Sequence, residues 1–314
     1  MTKQISQPRV VFMGTPEFAV ASLDALIKNG FNVVGVITAP DKPAGRGMKT
    51  TTSAVKNYAL EHQLHLLQPP KLKEPEFIEQ LKALRADVQV VVAFRMLPEV
   101  VWNMPALGTV NVHASLLPDY RGAAPINWAI INGETKTGVT TFKLAQEIDT
   151  GNILLQQEVP IDENETASEL HDALKEAGAL ILIKTLKGLI DGSILEQPQN
   201  EMATNENKRP KHAPKIFTET CKIDWNKTAA EIYNLIRGLS PYPAAFTQLQ
   251  GKLFKIYNAD KTNEPVRREP GSFETDNKTF LRFVCADGYL YARQIQAEGK
   301  KRMNIEDFLK GFRP

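Results

Sequence analysis

Arg9-Val10-Val11-Phe12-Met13-Gly14-Thr15-Pro16 is the stretch whose reading decides the fold. A short apolar run is stopped by Gly14-Thr15-Pro16, and Glu17 to Asn29 then carries apolar residues at helical spacing up to Gly30, placed as a C′ cap. Asn32 to Thr38 is strand-like again. Strand, tight turn, helix and strand make a βαβ unit, which requires a parallel sheet with right-handed crossovers. The turn lacks the three-glycine dinucleotide fingerprint, so no nicotinamide cofactor is expected.

Working outward, Ser53 to His62 reads as a helix, His65 to Gln68 as a short strand and Pro75 to Leu84 as a helix. Ala86 to Ala93 is a nearly continuous apolar run, the pattern of a parallel strand buried on both faces. Its exit, Phe94-Arg95-Met96-Leu97-Pro98, belongs at the carboxyl ends of the strands, where α/β sheets bind ligands. Between the strand at Asn32 to Thr38 and the helix at Ser53 to His62, Ala39 to Lys49 holds prolines, glycines and the cations Lys42, Arg46 and Lys49, and reads as a basic surface loop.

The chemistry concentrates in Asn111-Val112-His113-Ala114-Ser115-Leu116-Leu117-Pro118 and its continuation Tyr120-Arg121-Gly122-Ala123-Ala124-Pro125. Leu107 to Val110 is the entry of a strand, and alternation puts Asn111 and His113 on one face. An imidazole exchanges protons near neutral pH, and an amide donates to an oxygen that gains negative charge. Together they suit acyl transfer through a tetrahedral intermediate. A carboxylate would complete the set, and Asp149-Thr150-Gly151 supplies one between strand-like runs at Val139 to Leu144 and Asn152 to Gln157. Asp149 is thereby expected to hold His113 in one tautomer, as carboxylates do for catalytic imidazoles. Asp-Thr-Gly is also ordinary turn chemistry.

Ala123 to Ile131 is expected to be helical with Trp128 on its core side. Thr166-Ala167-Ser168-Glu169 is a capping box opening a long amphipathic helix to about Ile190. His62, His65 and His171 read as surface or packing residues. Residues 197–214 are polar, contain Pro198, Pro210 and Pro214, have no apolar period, and read as a linker. After a helix at Ala229 to Leu239, short strand-like pieces recur to Ile295 and suggest a small antiparallel barrel. The expected domains are therefore 1–196, a linker at 197–214, and 215–314.

Composition agrees with two domains. The 314 residues are 42% hydrophobic, enough for real cores, and no stretch approaches the roughly 18 apolar residues of a membrane span. No apolar signal region opens the chain, so a cytoplasmic protein is expected. The two cysteines, Cys221 and Cys285, have neither metal spacing nor disulfide density and read as inert thiols. Net charge is +2, but residues 1–200 hold 18 Lys and Arg against 22 Asp and Glu (−4), and residues 201–314 hold 20 against 14 (+6). A basic second part suits a polyanion and equally suits a solvated face.

Asn-x-His, the Ser-Leu-Leu-Pro loop, Tyr-Arg-Gly-Ala-Ala-Pro and the later Asp-Thr-Gly together resemble the folate-dependent formyltransferases, without a gap from Asn111 to Leu154. The resemblance implies 10-formyltetrahydrofolate as formyl donor and no metal. It implies that Asn111 and His113 polarise the formyl oxygen and that Asp149 assists proton transfer. It also implies that Ser115, Leu116, Leu117 and Pro118 line the folate pocket, with Phe94, Met96 and Leu97 packing around the pterin. Arg95 and Glu147 stand where many relatives carry glycine.

Within that family, Pro43-Ala44-Gly45-Arg46-Gly47, the Asp224-Trp225 and Pro241-Tyr242-Pro243-Ala244 stretches, and Gly299-Lys300-Lys301-Arg302-Met303 resemble the branch acting on methionyl-tRNA. That likeness implies an α/β protein whose Rossmann-like, mostly parallel N-terminal domain is followed by an OB-like β-barrel. It makes initiator methionyl-tRNA, gripped at its acceptor stem, the partner; nothing in the sequence suggests an obligate dimer, and a monomer is expected. The implied tRNA contacts are Arg46, Lys42, Lys49, Lys215, Lys300, Lys301 and Arg302. A small amine, glycinamide ribonucleotide or an amino-sugar nucleotide, is the alternative acceptor.

Overall fold

The computed structural model describes residues 7–44, 49–201 and 210–313. They divide into two compact units. The described residues through Arg121, with Gly138–Val159 and Asp172–Lys211, form the first; Gly122–Thr137, Pro160–His171 and the described residues from His212 form the second. Segments 122–137 and 160–171 thus go with later residues rather than with their neighbours in sequence.

β1 (Arg9–Gly14), α1 (Glu17–Lys28) and β2 (Asn32–Ile37) are the βαβ unit expected from the apolar spacing. A hairpin follows, β3 (Lys42–Ala44) and β4 (Lys49–Thr51), where the sequence reads as an irregular loop. Then come α2 (Ala54–Glu61), capped by the Ser53 side chain, β5 (Leu66–Leu67), α3 (Pro75–Ala83), β6 (Val88–Val92), α4 (Glu99–Trp102) and β7 (Thr109–His113). β8 (Arg121–Gly122) and α5 (Pro125–Ile131) precede β9 (Lys136–Lys143), β10 (Ile153–Pro160) and the long α6 (Ala167–Asp191). Thr166 and Glu169 make the reciprocal side-chain bonds of the capping box at its start.

The seven-stranded sheet runs β10-β9-β7-β6-β1-β2-β5. Its β5-β2-β1-β6-β7 portion is parallel, and β9 joins β7 antiparallel. All five residues of β6 are buried, as a strand covered on both faces requires. Apolar side chains of β1, β6, α3 and α4, among them Val11, Met13, Phe77, Leu81, Val91 and Val101, close one face of it.

In the second unit, β11 (His212–Ala213) pairs with β8, and α7 (Ala229–Gly238) opens with its own capping box at Thr228 and Glu231. β12 (Ala245–Leu249), β13 (Lys252–Thr262), β14 (Phe273–Thr275), β15 (Leu281–Val284) and β16 (Tyr289–Ala297) follow, ordered β12-β13-β16-β15-β14, with β17 (Met303–Asn304) on β16 and α8 (Ile305–Leu309) after it. This is the OB-like form expected, as a curled half-barrel. Its core combines Ile232 and Ile236 of α7 with Phe254, Ile256, Phe283, Leu290 and Ile295 of the sheet. Trp225 stacks on Phe283, centroids 4.5 Å apart, and donates its Nε1–H to Thr247 Oγ1 at 2.9 Å. Trp128 is half-buried rather than a core residue, and its Nε1–H donates to the Pro214 carbonyl at 2.8 Å.

Candidate active site

β7 ends at His113, and the alternation of the strand puts Asn111 and His113 on one face as expected. Asn111 lies opposite Phe142 of β9 and Val91 of β6, and His113 lies opposite Thr140. The Asn111 side chain makes no hydrogen bond among the described residues, so its amide is open to a ligand oxygen. His113 is buried, with its ring edge-on to Phe142.

The two nitrogens of His113 face different partners. Nε2 lies 2.9 Å from the Tyr120 carbonyl, and Nδ1 lies 3.9 Å from Asp149 Oδ2. A carbonyl can only accept, so Nε2 carries the hydrogen. The tautomer of the neutral ring is therefore set by Tyr120 and not, as the sequence suggested, by Asp149. Nδ1 then presents a lone pair toward Asp149, or an N–H when the ring is charged. A charged ring would have Asp149 as its counter-ion.

Asp149 reaches this position by an indirect route. Because β9 is antiparallel to β7, Lys143 at its end pairs with Val110, at the far end of β7 from His113. Residues 144–152 must turn back along β7 to bring Asp149 beside His113. That turn is constrained: Asp149 has φ 55°, in the left-handed region, and a Cβ on Gly151 would meet the Lys143 carbonyl oxygen at 1.6 Å.

The residues expected around the folate divide by exposure. Ser115 is fully buried and donates to the Asp119 carbonyl at 2.7 Å, so its hydroxyl holds the loop. Leu117 is buried too; its N–H donates to Thr140 Oγ1 at 3.1 Å, and Gln156 Nε2 donates to its carbonyl at 2.8 Å. Leu116 and Pro118 are half-buried, the latter after a cis peptide bond. At the exit of β6, Phe94 is half-buried, Leu97 is buried in the core, and Met96 is 73% exposed. Ile148, 59% exposed, adds a second uncovered apolar side chain next to Asp149. Arg95 turns back to donate to the carbonyls of Pro69 and of Pro70, the latter at 2.8 Å, and desolvation depresses the pKa of its guanidinium.

One contributor escaped sequence reading altogether. Gln199, within the stretch that reads as a linker, is buried and donates from Nε2 to the carbonyls of Asp149 and Gly151, both at 2.8 Å. Neighbouring Gln197 pairs with Ile153, and Lys211 accepts from Tyr120 N–H at 2.6 Å and donates its own N–H to Asp119 Oδ1 at 2.8 Å. Both described ends of the stretch are thus tied down. A polar segment flanked by prolines carries no apolar signal of this.

Of the cations expected to meet nucleic acid, Arg46 lies outside the described residues. Lys42 is exposed at the start of β3, and Lys49 begins β4. Lys215 lies 5.7 Å above the Phe217 ring. Lys300, Lys301 and Arg302 are exposed between β16 and β17, with Arg302 4.3 Å above the Tyr257 ring and bonded to Gln294. Arg302, Tyr257, Ser240, Asn258, Arg293 and Asn304 are among the residues lining a cavity of about 300 Å³. No described helix is long and apolar enough to cross a membrane.

Comparison with known proteins identifies the family. A family model described as formyl transferase matches residues 8–186, and one described as the formyl transferase C-terminal domain matches residues 215–313. A methionyl-tRNA formyltransferase of Parabacteroides distasonis is 55% identical over 97% of this chain and 96% of its own length. One from Bacteroides fragilis is 53% identical over 97% of this chain and 95% of its own. Among solved structures, a sugar 3N-formyl transferase in the presence of dTDP and 5-N-formyl-THF superposes with a TM-score of 0.66 at 24% identity, covering 94% of this chain and 99% of that one. An N-formyltransferase from Helicobacter canadensis, with folinic acid and dTDP-3-aminofucose, gives 0.65 at 23%, covering 92% and 98%. These structural likenesses speak for the fold alone. With both family models matched and half of its residues shared with full-length relatives, the chain belongs to the formyl transferase family.

Proposed function

We propose that the protein transfers the formyl group of 10-formyltetrahydrofolate to the α-amino group of methionyl-tRNA, acting in the cytoplasm. The observation that carries this reading is the meeting of Asn111, His113 and Asp149 at the end of β7, His113 Nδ1 being 3.9 Å from Asp149. The choice of acceptor is supported by relatives of matching length named methionyl-tRNA formyltransferase.

The neutral amine attacks the formyl carbon, and the carbonyl oxygen gains negative charge. The Asn111 amide and the Nδ1–H of charged His113 donate to that oxygen, while Asp149 balances the imidazolium. As the intermediate collapses, the bond from the formyl carbon to the donor nitrogen breaks. The amine loses one proton, passed to Asp149 directly or through water, and the departing nitrogen gains one. Phe94, Met96, Leu116 and Pro118 supply the apolar wall for the donor's ring system, and Ser115, Leu117 and Leu97 hold that wall from behind. Residues 1–196 carry this chemistry. Residues 215–314 bind the tRNA with Lys215, Lys300, Lys301 and Arg302, and Lys42, Arg46 and Lys49 approach its acceptor end.

The test offers purified protein 10-formyltetrahydrofolate with methionyl-tRNA, glycinamide ribonucleotide or an amino-sugar nucleotide. Transfer to methionyl-tRNA alone, cut about a hundredfold or more in Asp149→Asn, is the expected result. Transfer only to a small amine would leave the chemistry in place and replace the acceptor.

A further inference from the structure

Gln199 is the point where the two halves of the candidate site are joined. Its Nε2 hydrogens go to the Asp149 and Gly151 carbonyls, and its Oε1 accepts from Arg121 Nε at 3.1 Å and from Arg121 Nη2. The amide has one possible orientation. Carbonyl oxygens only accept and a guanidinium only donates, so the NH2 must face the turn and the oxygen must face Arg121. Arg121 follows Tyr120, whose carbonyl fixes His113 Nε2. The connected path is therefore His113, Tyr120, Arg121, Gln199 and Asp149.

Each link is short, and its centre is almost dry, Gln199 being 4% exposed. At the other end of the same segment, the Lys211 main chain braces Tyr120 and Asp119, so the loop under His113 is held from two sides. The Asp149 turn needs such a brace. It doubles back along β7 and holds a non-glycine residue at φ 55°.

We infer that Gln199, oriented by Arg121, is a positioning residue that sets the separation of Asp149 from His113. The inference rests on the reading of Asp149 as the carboxylate of formyl transfer. Gln199→Glu is the informative change. It preserves volume and pairs with Arg121, but it replaces the NH2 that grips the two carbonyls by an oxygen that repels them. The turn is released while the fold is kept. A misplacement of about 1 Å in a reacting group costs about a hundredfold in rate.

The experiment is a cycle of wild type, Asp149→Asn, Gln199→Glu and the double variant, with formyl transfer from 10-formyltetrahydrofolate to methionyl-tRNA and thermal unfolding measured on each. For Gln199→Glu we expect kcat to fall about tenfold to a hundredfold, with KM for both substrates within about twofold of wild type. In the Asp149→Asn background the same change should cost no further than about twofold, because the group it positions is already gone. Independent, multiplying losses would overturn the inference, as would a Gln199→Glu enzyme that melts earlier but turns over normally. An Asp149→Asn enzyme as active as wild type would instead remove the catalytic reading on which the inference stands, and that outcome is visible without Gln199.

Discussion

His113 Nδ1 and Asp149 Oδ2 stand 3.9 Å apart, while the other nitrogen of the ring is held by the Tyr120 carbonyl. In the proposed reaction this carboxylate balances an imidazolium and takes a proton. Asp149→Asn keeps the size of the side chain, and asparagine tolerates the left-handed backbone at this position. Formyl transfer should fall about a hundredfold to ten-thousandfold in kcat, the range for losing a positioned proton-transfer group, with the melting temperature little changed. Single-turnover kinetics with preloaded substrates read this directly.

Asn111 offers its amide on the same face as His113 and spends it on no described neighbour. Removing one donor to a developing oxyanion costs about a hundredfold to a thousandfold. Asn111→Ala should show that loss in kcat, and equilibrium binding of methionyl-tRNA should match wild type. Lost tRNA binding with normal turnover would mean that the amide serves the acceptor and not the formyl oxygen.

Arg95 ties the loop after β6 to the segment after β5 through the Pro69 and Pro70 carbonyls. In Arg95→Met the long apolar stem remains and the charged donors are gone. The KM for 10-formyltetrahydrofolate should rise about tenfold, the equivalent of one hydrogen bond to a charged group at about 1.5 kcal/mol, with KM for methionyl-tRNA unchanged. Steady-state kinetics with each substrate varied in turn separate the two.

Desolvation raises the Glu165 carboxyl above its ordinary 4.5, against the stabilising N–H of Asp162. A raised acid in the folded state means that ionising it costs stability. Its contribution is complete below 4.5 and is lost as pH rises through the elevated folded value. Glu165→Gln keeps the acceptor for Asp162 N–H and removes the charge. Thermal melts should show the variant about 1–2 °C more stable at pH 7, with the difference gone at about pH 4.

The parts of the fold that announce themselves in the sequence are those governed by period and punctuation. Gly30, the apolar run through β6, and the Thr166 and Glu169 pair each encode one local decision, and each was readable. Asn111 and His113 were legible because two residues on a strand share a face whatever the rest of the chain does. The tautomer of His113 was not, since it depends on a main-chain oxygen whose position follows from the whole loop after β7. Gln199 was hidden for a similar reason. Its importance comes from two carbonyls and a guanidinium far away in sequence, and its immediate neighbours look like solvent-exposed chain. The β3–β4 hairpin was obscured by proline and glycine, which mark a turn without saying that strands flank it.

Cys221 and Cys285, the only thiols in the chain, are both buried in the second unit, where burial pushes Cys285 up to about 12 and raises Cys221 as well. The first unit has none. A thiol-reactive dye therefore meets a silent native protein and labels it only as the half-barrel or α7 opens. Its labelling rate is a clock for that unit alone, already built into the wild-type chain, and any ligand that tightened the half-barrel would register as a slowing of the reaction.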